Sequence, residues 1–410
     1  MDSLSRSSVT AASAEGERTQ LAGSLAGSLT VLEWGIRAAL CASLIGVLIR
    51  QLNALSLDQA LYPLMLYGSP AAAYLLASVP TVAAAIRRQA ESQPLGMALL
   101  ALAPFAPVML YARVALNVEL TGLLLIGALV FLPVACAILN VPRLRRADIS
   151  LGLVTVALPL LLPYAPDSGI GATPEPLTTF DIAARIGAFL LPLALLLFTT
   201  RKQKQQLNFL FVCSVLSLWY AWQFGAFPAF PIAHDVGATY FQLAVIPLFL
   251  YVLAVAGRFD RLGMLFKPSP RSVSVAAANL ALLAALGVPT GLATGALVPA
   301  FQGPPPLEAA TQALNIFLLV ALPQEILFRG TLLTYLQDAL RLDAGVAAVI
   351  SSVLFGVTHA HNSASVGWTF ILATFAGIFC ARVFLATRNI VAAGVVHAFA
   401  RWARWLLFSG

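Results

Sequence analysis

Charge is what this chain has least of. Among 410 residues it carries 24 Lys or Arg and 17 Asp or Glu, so 10% are charged while 60% are hydrophobic. Soluble domains run at about 25% charged, and so few ionisable side chains could not cover a soluble protein of this length. The mean hydropathy of +0.88 excludes a disordered chain and a coiled coil as well. Cysteine is scarce: Cys41, Cys136, Cys213 and Cys380 stand far apart, each inside an apolar run. That excludes a disulfide scaffold or a Cys-based metal site and assigns all four to packing. Residues 1–28 lack the basic start, apolar middle and small-residue cleavage site of a signal peptide. They are expected to form a short disordered cytoplasmic tail, with the first membrane helix acting as the targeting signal. No internal repeat is evident.

Long apolar runs are what the chain has in abundance. Crossing about 30 Å of hydrocarbon takes roughly 20 apolar residues at 1.5 Å each. Such runs occur at 30–49, 60–86, 95–112, 119–141, 149–165, 182–200, 207–225, 238–256, 273–299, 309–341, 344–361, 364–385 and 390–408. They predict an all-α polytopic integral membrane protein of about 11–13 transmembrane helices. The net charge is +7, but its residues stand in short loops, such as Arg87-Arg88, Arg143 to Arg146 and Arg201 to Lys204. That distribution is the mark of positive-inside loops rather than of a nucleic-acid surface. Every second connection is basic and the ones between are acidic or poor in positive charge, which places the N-terminus in the cytoplasm. The excess of Arg over only three lysines, Lys202, Lys204 and Lys267, fits a GC-rich bacterial genome, so the expected location is a bacterial cytoplasmic membrane.

The polar stretch 258–271 reads as a basic linker between an N-terminal helical region, 29–257, and a C-terminal domain, 272–410. In the first region Glu33 and Arg37 read as a self-satisfied pair four residues apart, and Arg185 as a snorkelling cation at a span start. Gly291 and Gly295 form a G-x-x-x-G pattern that allows close helix packing. No role beyond membrane residence follows for residues 29–257.

The chemistry concentrates in the last hundred residues. Three of the four histidines, His359, His361 and His397, lie there, together with Glu325, Arg329, Arg382, Arg401 and Arg404 inside apolar spans. Ionisable groups cost roughly 2.5–3.5 kcal/mol each at membrane depth and persist when paired or used. Glu325 and Arg329 are four apart and can pair on one helix face. Around a turn at Leu342-Asp343, Glu325 and His359 are each 17 residues away, which puts them at one depth on an antiparallel hairpin. His397 and Arg401 repeat the spacing of four on the last span. A carboxylate and an imidazole around a water make a general-base apparatus, and a second imidazole with a neighbouring donor can stabilise an oxyanion. Alternatively, Glu325, His359 and His397 form a His-His-carboxylate set of the kind that holds catalytic zinc, although the H-E-x-x-H signature is absent. Trp402 and Trp405 read as interfacial anchors, and Pro323 as a possible kink.

The runs LPQEILFRG (322–330), SSVLFGVTHAHN (351–362) and VVHAFAR (395–401) resemble the three motifs of the CPBP family. This family holds CAAX proteases and bacteriocin-processing enzymes and is also known for its ABI domain. Its pattern is Glu-Glu-x-x-x-Arg, then Phe-x-x-x-His, then His-x-x-x-Asn or Asp, and the resemblance covers residues 309–405. It implies an intramembrane endopeptidase with no required metal, acting on membrane-anchored peptide or protein substrates in the lipid bilayer. In the pattern the first Glu and middle His activate water, while the late His and Asn bind the oxyanion. The carry-over names Gln324, Glu325, Arg329, His359, His397 and Arg401 as the candidate catalytic set.

Two positions depart from the pattern. Gln324 replaces the first Glu, and Arg401 replaces the late Asn or Asp. With neutral histidines, the six pattern positions carry −1 in the family and +1 here. The expected function is therefore a CAAX-type intramembrane endopeptidase using Glu325, alone or with His359. The alternatives are a catalytically inactive relative that binds membrane peptides, a transporter, or a zinc-dependent enzyme.

Overall fold

The computed structural model describes residues 33–38, 75–102, 113, 120, 132–137, 149–161, 179–198, 209–223, 263–264, 266–301, 303–359 and 366–409. The expected tail at 1–28, the span at 238–256, most of the first four spans, the Arg143–Arg146 and Arg201–Lys204 loops and His361 lie outside these residues. The N-terminal region supplies helices Pro80–Ser92 (α1), Pro94–Leu102 (α2), Ile149–Leu161 (α3), Thr179–Phe198 (α4) and Phe209–Gln223 (α5). The C-terminal region supplies Pro270–Ala293 (α6), Pro306–Asp338 (α7), Ala344–Val357 (α8), Val366–Thr387 (α9) and Ile390–Leu407 (α10). Among the described residues, four helices, α6, α7, α9 and α10, are long and apolar enough to cross a membrane. The protein is an all-α polytopic membrane protein.

Helix α7 is the axis of the C-terminal bundle. Its most apolar stretch is 88% buried, against 11% for α6, so α7 is enclosed by its neighbours while α6 is largely uncovered. Helix α6 packs on α9 and α10, α8 packs on α9, and α10 packs on α7. Local sequence sets the ends. Ser269 and Ser272 form a reciprocal capping box, with Pro270 opening α6. The Asp343 carboxylate accepts from the Gly345 amide at 2.7 Å to start α8, and Asn389 caps α10 by accepting from Val391 at 2.9 Å. The turn expected at Leu342-Asp343 is therefore present.

Helix α7 is not uniformly α. Ile316–Ala321 and Ile326–Leu333 are π-helical, with the short α segment Leu322–Glu325 between them. Proline has no N–H, and its ring crowds the carbonyl four residues back. The wide turn just before Pro323, closed by Leu322 N–H donating to Phe317 O, lets the helix continue where a kink was a possibility. Thr331 and Thr334 stabilise the second wide segment by donating to carbonyls five residues back, Ile326 O and Arg329 O, each at 3.1 Å.

The N-terminal region meets this bundle through α5. The Tyr220 hydroxyl donates to Leu354 O at 2.9 Å, and the Phe209 and Tyr335 rings lie 6.5 Å apart. A two-residue antiparallel pair, Val298 with Ser409 and Pro299 with Phe408 (β1 and β2), ties the last described residues to the loop after α6.

Several local expectations change. The helix expected to end before Arg87-Arg88 runs from Pro80 to Ser92, because the prolines at 80 and 94 set the breaks and not the arginines. Glu33 and Arg37 do pair, at 2.7 Å, and Arg37 Nε also donates to Ser78 Oγ at 3.2 Å. Arg185 is buried and does not snorkel. Gly291 and Gly295 end α6 rather than seat a second helix. Gly295 takes a left-handed φ of 71°, and a Cβ on Gly291 would come within 2.6 Å of the Leu297 side chain as the chain folds back. In the stretch read as a linker, Met264 and Phe266 are buried, and Gly263 O accepts from Ile390 N at 3.0 Å.

Candidate active site

The first motif, on α7, places Glu325 at the junction between Leu322–Glu325 and the following π-helical segment. Its side chain is fully enclosed. Oε1 accepts from Arg329 Nη1 at 3.1 Å and lies 2.9 Å from His397 Nδ1, while the Cys380 thiol faces the same carboxylate. Arg329, also 0% exposed, donates through Nη2 to Gly377 O at 2.6 Å. The Glu325–Arg329 pair expected from the spacing of four is present, and its second anchor on α9 is a backbone carbonyl that no motif announced. Gly377 is required there by close approach. A Cβ would lie 3.0 Å from Ser352 Cβ and 3.1 Å from Arg329 Nη2.

The carboxylate pairs with His397, not with His359. His359 Nδ1 instead lies 2.9 Å from Thr358 Oγ1 and 3.2 Å from Phe355 O. Thr358 Oγ1 already donates to Phe355 O at 2.7 Å, so both neighbours act as acceptors and assign the His359 proton to Nδ1. The Glu325 carboxylate likewise assigns the His397 proton to Nδ1. In the neutral form each imidazole is left with Nε2 as an acceptor.

Phe355 gathers the set. Its ring centroid is 4.7 Å from that of His359 and 5.2 Å from that of His397. The Arg329 guanidinium lies 4.6 Å from the same ring, within cation–π range. Phe328 packs on its edge at 5.4 Å, and Ser351 Oγ donates to Phe328 O at 2.6 Å, holding α8 against α7.

Beside this cluster is a cavity of about 760 Å³. Gln324, His359, His397 and Arg401 line it; Glu325 and Arg329 do not, and stand behind its wall. Gln324 is 3% exposed, and its Oε1 has no hydrogen-bond partner among the described residues. Arg401 is exposed toward the cavity. Adjacency in sequence thus separates two roles in space: Gln324 faces the cavity and Glu325 faces His397. Cys380, read from sequence as packing alone, also lines the cavity, as do Arg404 and Trp405. Trp402 is half-buried and donates to Ala309 O at 2.9 Å, tying α10 to the start of α7. Phe355 was legible in the Phe-x-x-x-His motif, whereas Gly377, Thr358 and Cys380 left no sequence signal beyond their neighbourhood.

Residues 306–403 match the family model described as Rce1-like, type II CAAX prenyl endopeptidase Rce1-like. This C-terminal region, and not the rest of the chain, matches the CAAX protease family. The CAAX-protease domain so defined begins at α7, and α6 packs against it from outside the matched residues. No curated protein and no solved structure matches the chain.

Among the described residues, no group of three His, Cys, Asp or Glu is arranged to hold a metal ion. Glu325 commits Oε1 to Arg329 and His397 Nδ1, and His359 turns Nδ1 to its own backbone. The three candidate zinc ligands therefore do not converge, and this arrangement does not fit the zinc alternative.

Proposed function

We propose that the chain is an intramembrane endopeptidase that hydrolyses membrane-associated peptide or protein substrates with imidazole-activated water and no metal. The observation that carries this reading is the buried Arg329–Glu325–His397 relay ending at a cavity that His359 also lines. A carboxylate on Nδ1 fixes the tautomer and stabilises the imidazolium that forms when Nε2 takes a proton. A water held between the Nε2 atoms of His397 and His359 gives its proton to His397 while its oxygen attacks the scissile carbonyl carbon. The Gln324 amide supplies an N–H donor for the resulting oxyanion. His397 then passes the proton to the leaving nitrogen as the C–N bond breaks. This order differs from the one that the family resemblance implies, in which His397 serves the oxyanion. Bonded through Nδ1–H to Glu325, neutral His397 has no second N–H to donate.

On this reading Gln324 is tolerated because the carboxylate that matters is Glu325. The test is cleavage of a panel of fluorogenic membrane-anchored peptides by the full chain in lipid, beside Glu325→Gln and Gln324→Glu. The unaltered protein is expected to cleave and Glu325→Gln to lose at least about a hundredfold. Silence in the unaltered protein with cleavage by Gln324→Glu would overturn the reading in favour of an inactive binding protein.

A further inference from the structure

We propose that Arg401 selects peptides that carry a carboxylate beside an apolar segment. The inference rests on the protease reading only in taking the occupant of the cavity to be a peptide. The lining residues include two cations, Arg401 and Arg404, and no Asp or Glu. Glu325, which does not line the cavity, is 0% exposed and bonded to Arg329 and His397 behind the wall. Arg401 makes no ion pair or hydrogen bond among the described residues, and the charged group that acts on it is the like charge of Arg404, three residues on. A guanidinium stays charged at any working pH and binds a carboxylate through two parallel N–H donors. On a membrane-spanning helix such as α10, a cation facing a cavity without an anion is costly, and an anionic occupant removes that cost.

The rest of the cavity sets the other half of the occupant. Leu280, Leu283 and Val288 of α6, with Leu297, Leu372 and Phe408, form apolar walls. An extended apolar segment lying along α6 would share the cavity with the two imidazoles and with Arg401. The position is also one of the two at which this sequence departs from the family pattern, so the preference belongs to this chain and not to the pattern.

The carboxylate can be a peptide's C-terminus or an Asp or Glu side chain. Three fluorescent peptides sharing one apolar segment separate the sources: a free C-terminal acid with neutral side chains, a C-terminal amide with one Glu, and an amide with Gln in its place. Binding is read by polarisation against the full chain in zwitterionic lipid nanodiscs, with cleavage followed in the same samples. At least one acid is expected to bind about tenfold or more tighter than the Gln amide, and the stronger arm identifies the source. Arg401→Gln is expected to erase the difference, and Arg401→Lys, which keeps the charge but loses the fork, to leave an intermediate one. Equal binding of all three peptides, no binding of any, or a preference that survives Arg401→Gln overturns the proposal. Preference without cleavage would leave it standing and count against hydrolysis, whereas cleavage without preference would remove this inference alone.

Discussion

At the scale of single residues, Glu325 is the group on which most other contacts depend. Removing one partner of a buried ion pair strands the other and costs about 3–5 kcal/mol. Glu325→Ala is therefore expected to lower the thermal midpoint in lipid markedly, while the nearly isosteric Glu325→Gln keeps the fold and loses cleavage. Because Glu325 and His397 work as one relay, the double variant Glu325→Gln/His397→Ala should be no slower than the worse single variant. Additive losses in a kinetic comparison would show two independent roles. Gly377→Ala presses a methyl between Ser352, Arg329 and Phe355. Such overpacking costs about 1–3 kcal/mol, and it should reduce cleavage along with stability. Since among the described residues no three His, Cys, Asp or Glu side chains are placed to hold a metal ion, treating the purified protein with a chelator should leave cleavage unchanged. Activity that is lost and then restored by zinc would reinstate the metal alternative. The motif residues themselves were legible in sequence, because Glu, Arg and His are rare inside apolar spans. The Gly377 carbonyl and the Cys380 thiol were not, because their part is set by how α9 packs on α7.

At the scale of elements, the ends of α8, α9 and α10 follow the apolar runs within a few residues, since Asp343, Asn389 and the flanking turns mark them. The interior of α7 does not follow from pattern reading. A uniform rise of 1.5 Å per residue puts Glu325 at the depth of His359, but π-helical turns lie on either side of Leu322–Glu325 and the carboxylate bonds His397. π-helical turns are frequent at functional sites, and nothing in the hydrophobic pattern distinguishes them from α turns. Close packing of α8 on α9 can be tested at Gly356, where a Cβ would collide with Thr374 Oγ1. Gly356→Ala is expected to shift α8, displace Phe355 and His359 with it, and lower both thermal midpoint and cleavage. An unchanged midpoint would mean that the two helices have room to separate.

At the scale of the whole molecule, the N-terminal region is joined to the CAAX-protease domain by packing as well as by chain. Trp219 and Tyr220 of α5 are fully buried, and Tyr220 reaches the carbonyl of Leu354 on α8, five residues before His359. Sequence reading could assign 29–257 to the membrane but not to this contact, because tertiary docking of one apolar helix on another leaves no mark in hydropathy. Tyr220→Phe removes one hydrogen bond and should cost about 0.5–1.5 kcal/mol, read as a small drop in thermal midpoint in nanodiscs. Expressing residues 258–410 alone should give a less stable protein than the full chain, and equal midpoints would make the two regions independent. The β1–β2 pair has a practical consequence for anyone handling the protein. Phe408 is at once part of that pair and part of the cavity wall, so an affinity tag fused after Gly410 begins three residues from that wall. Purification handles, fluorescent reporters and surface tethers belong at the other end of the chain if the assays above are to read the protein and not its label.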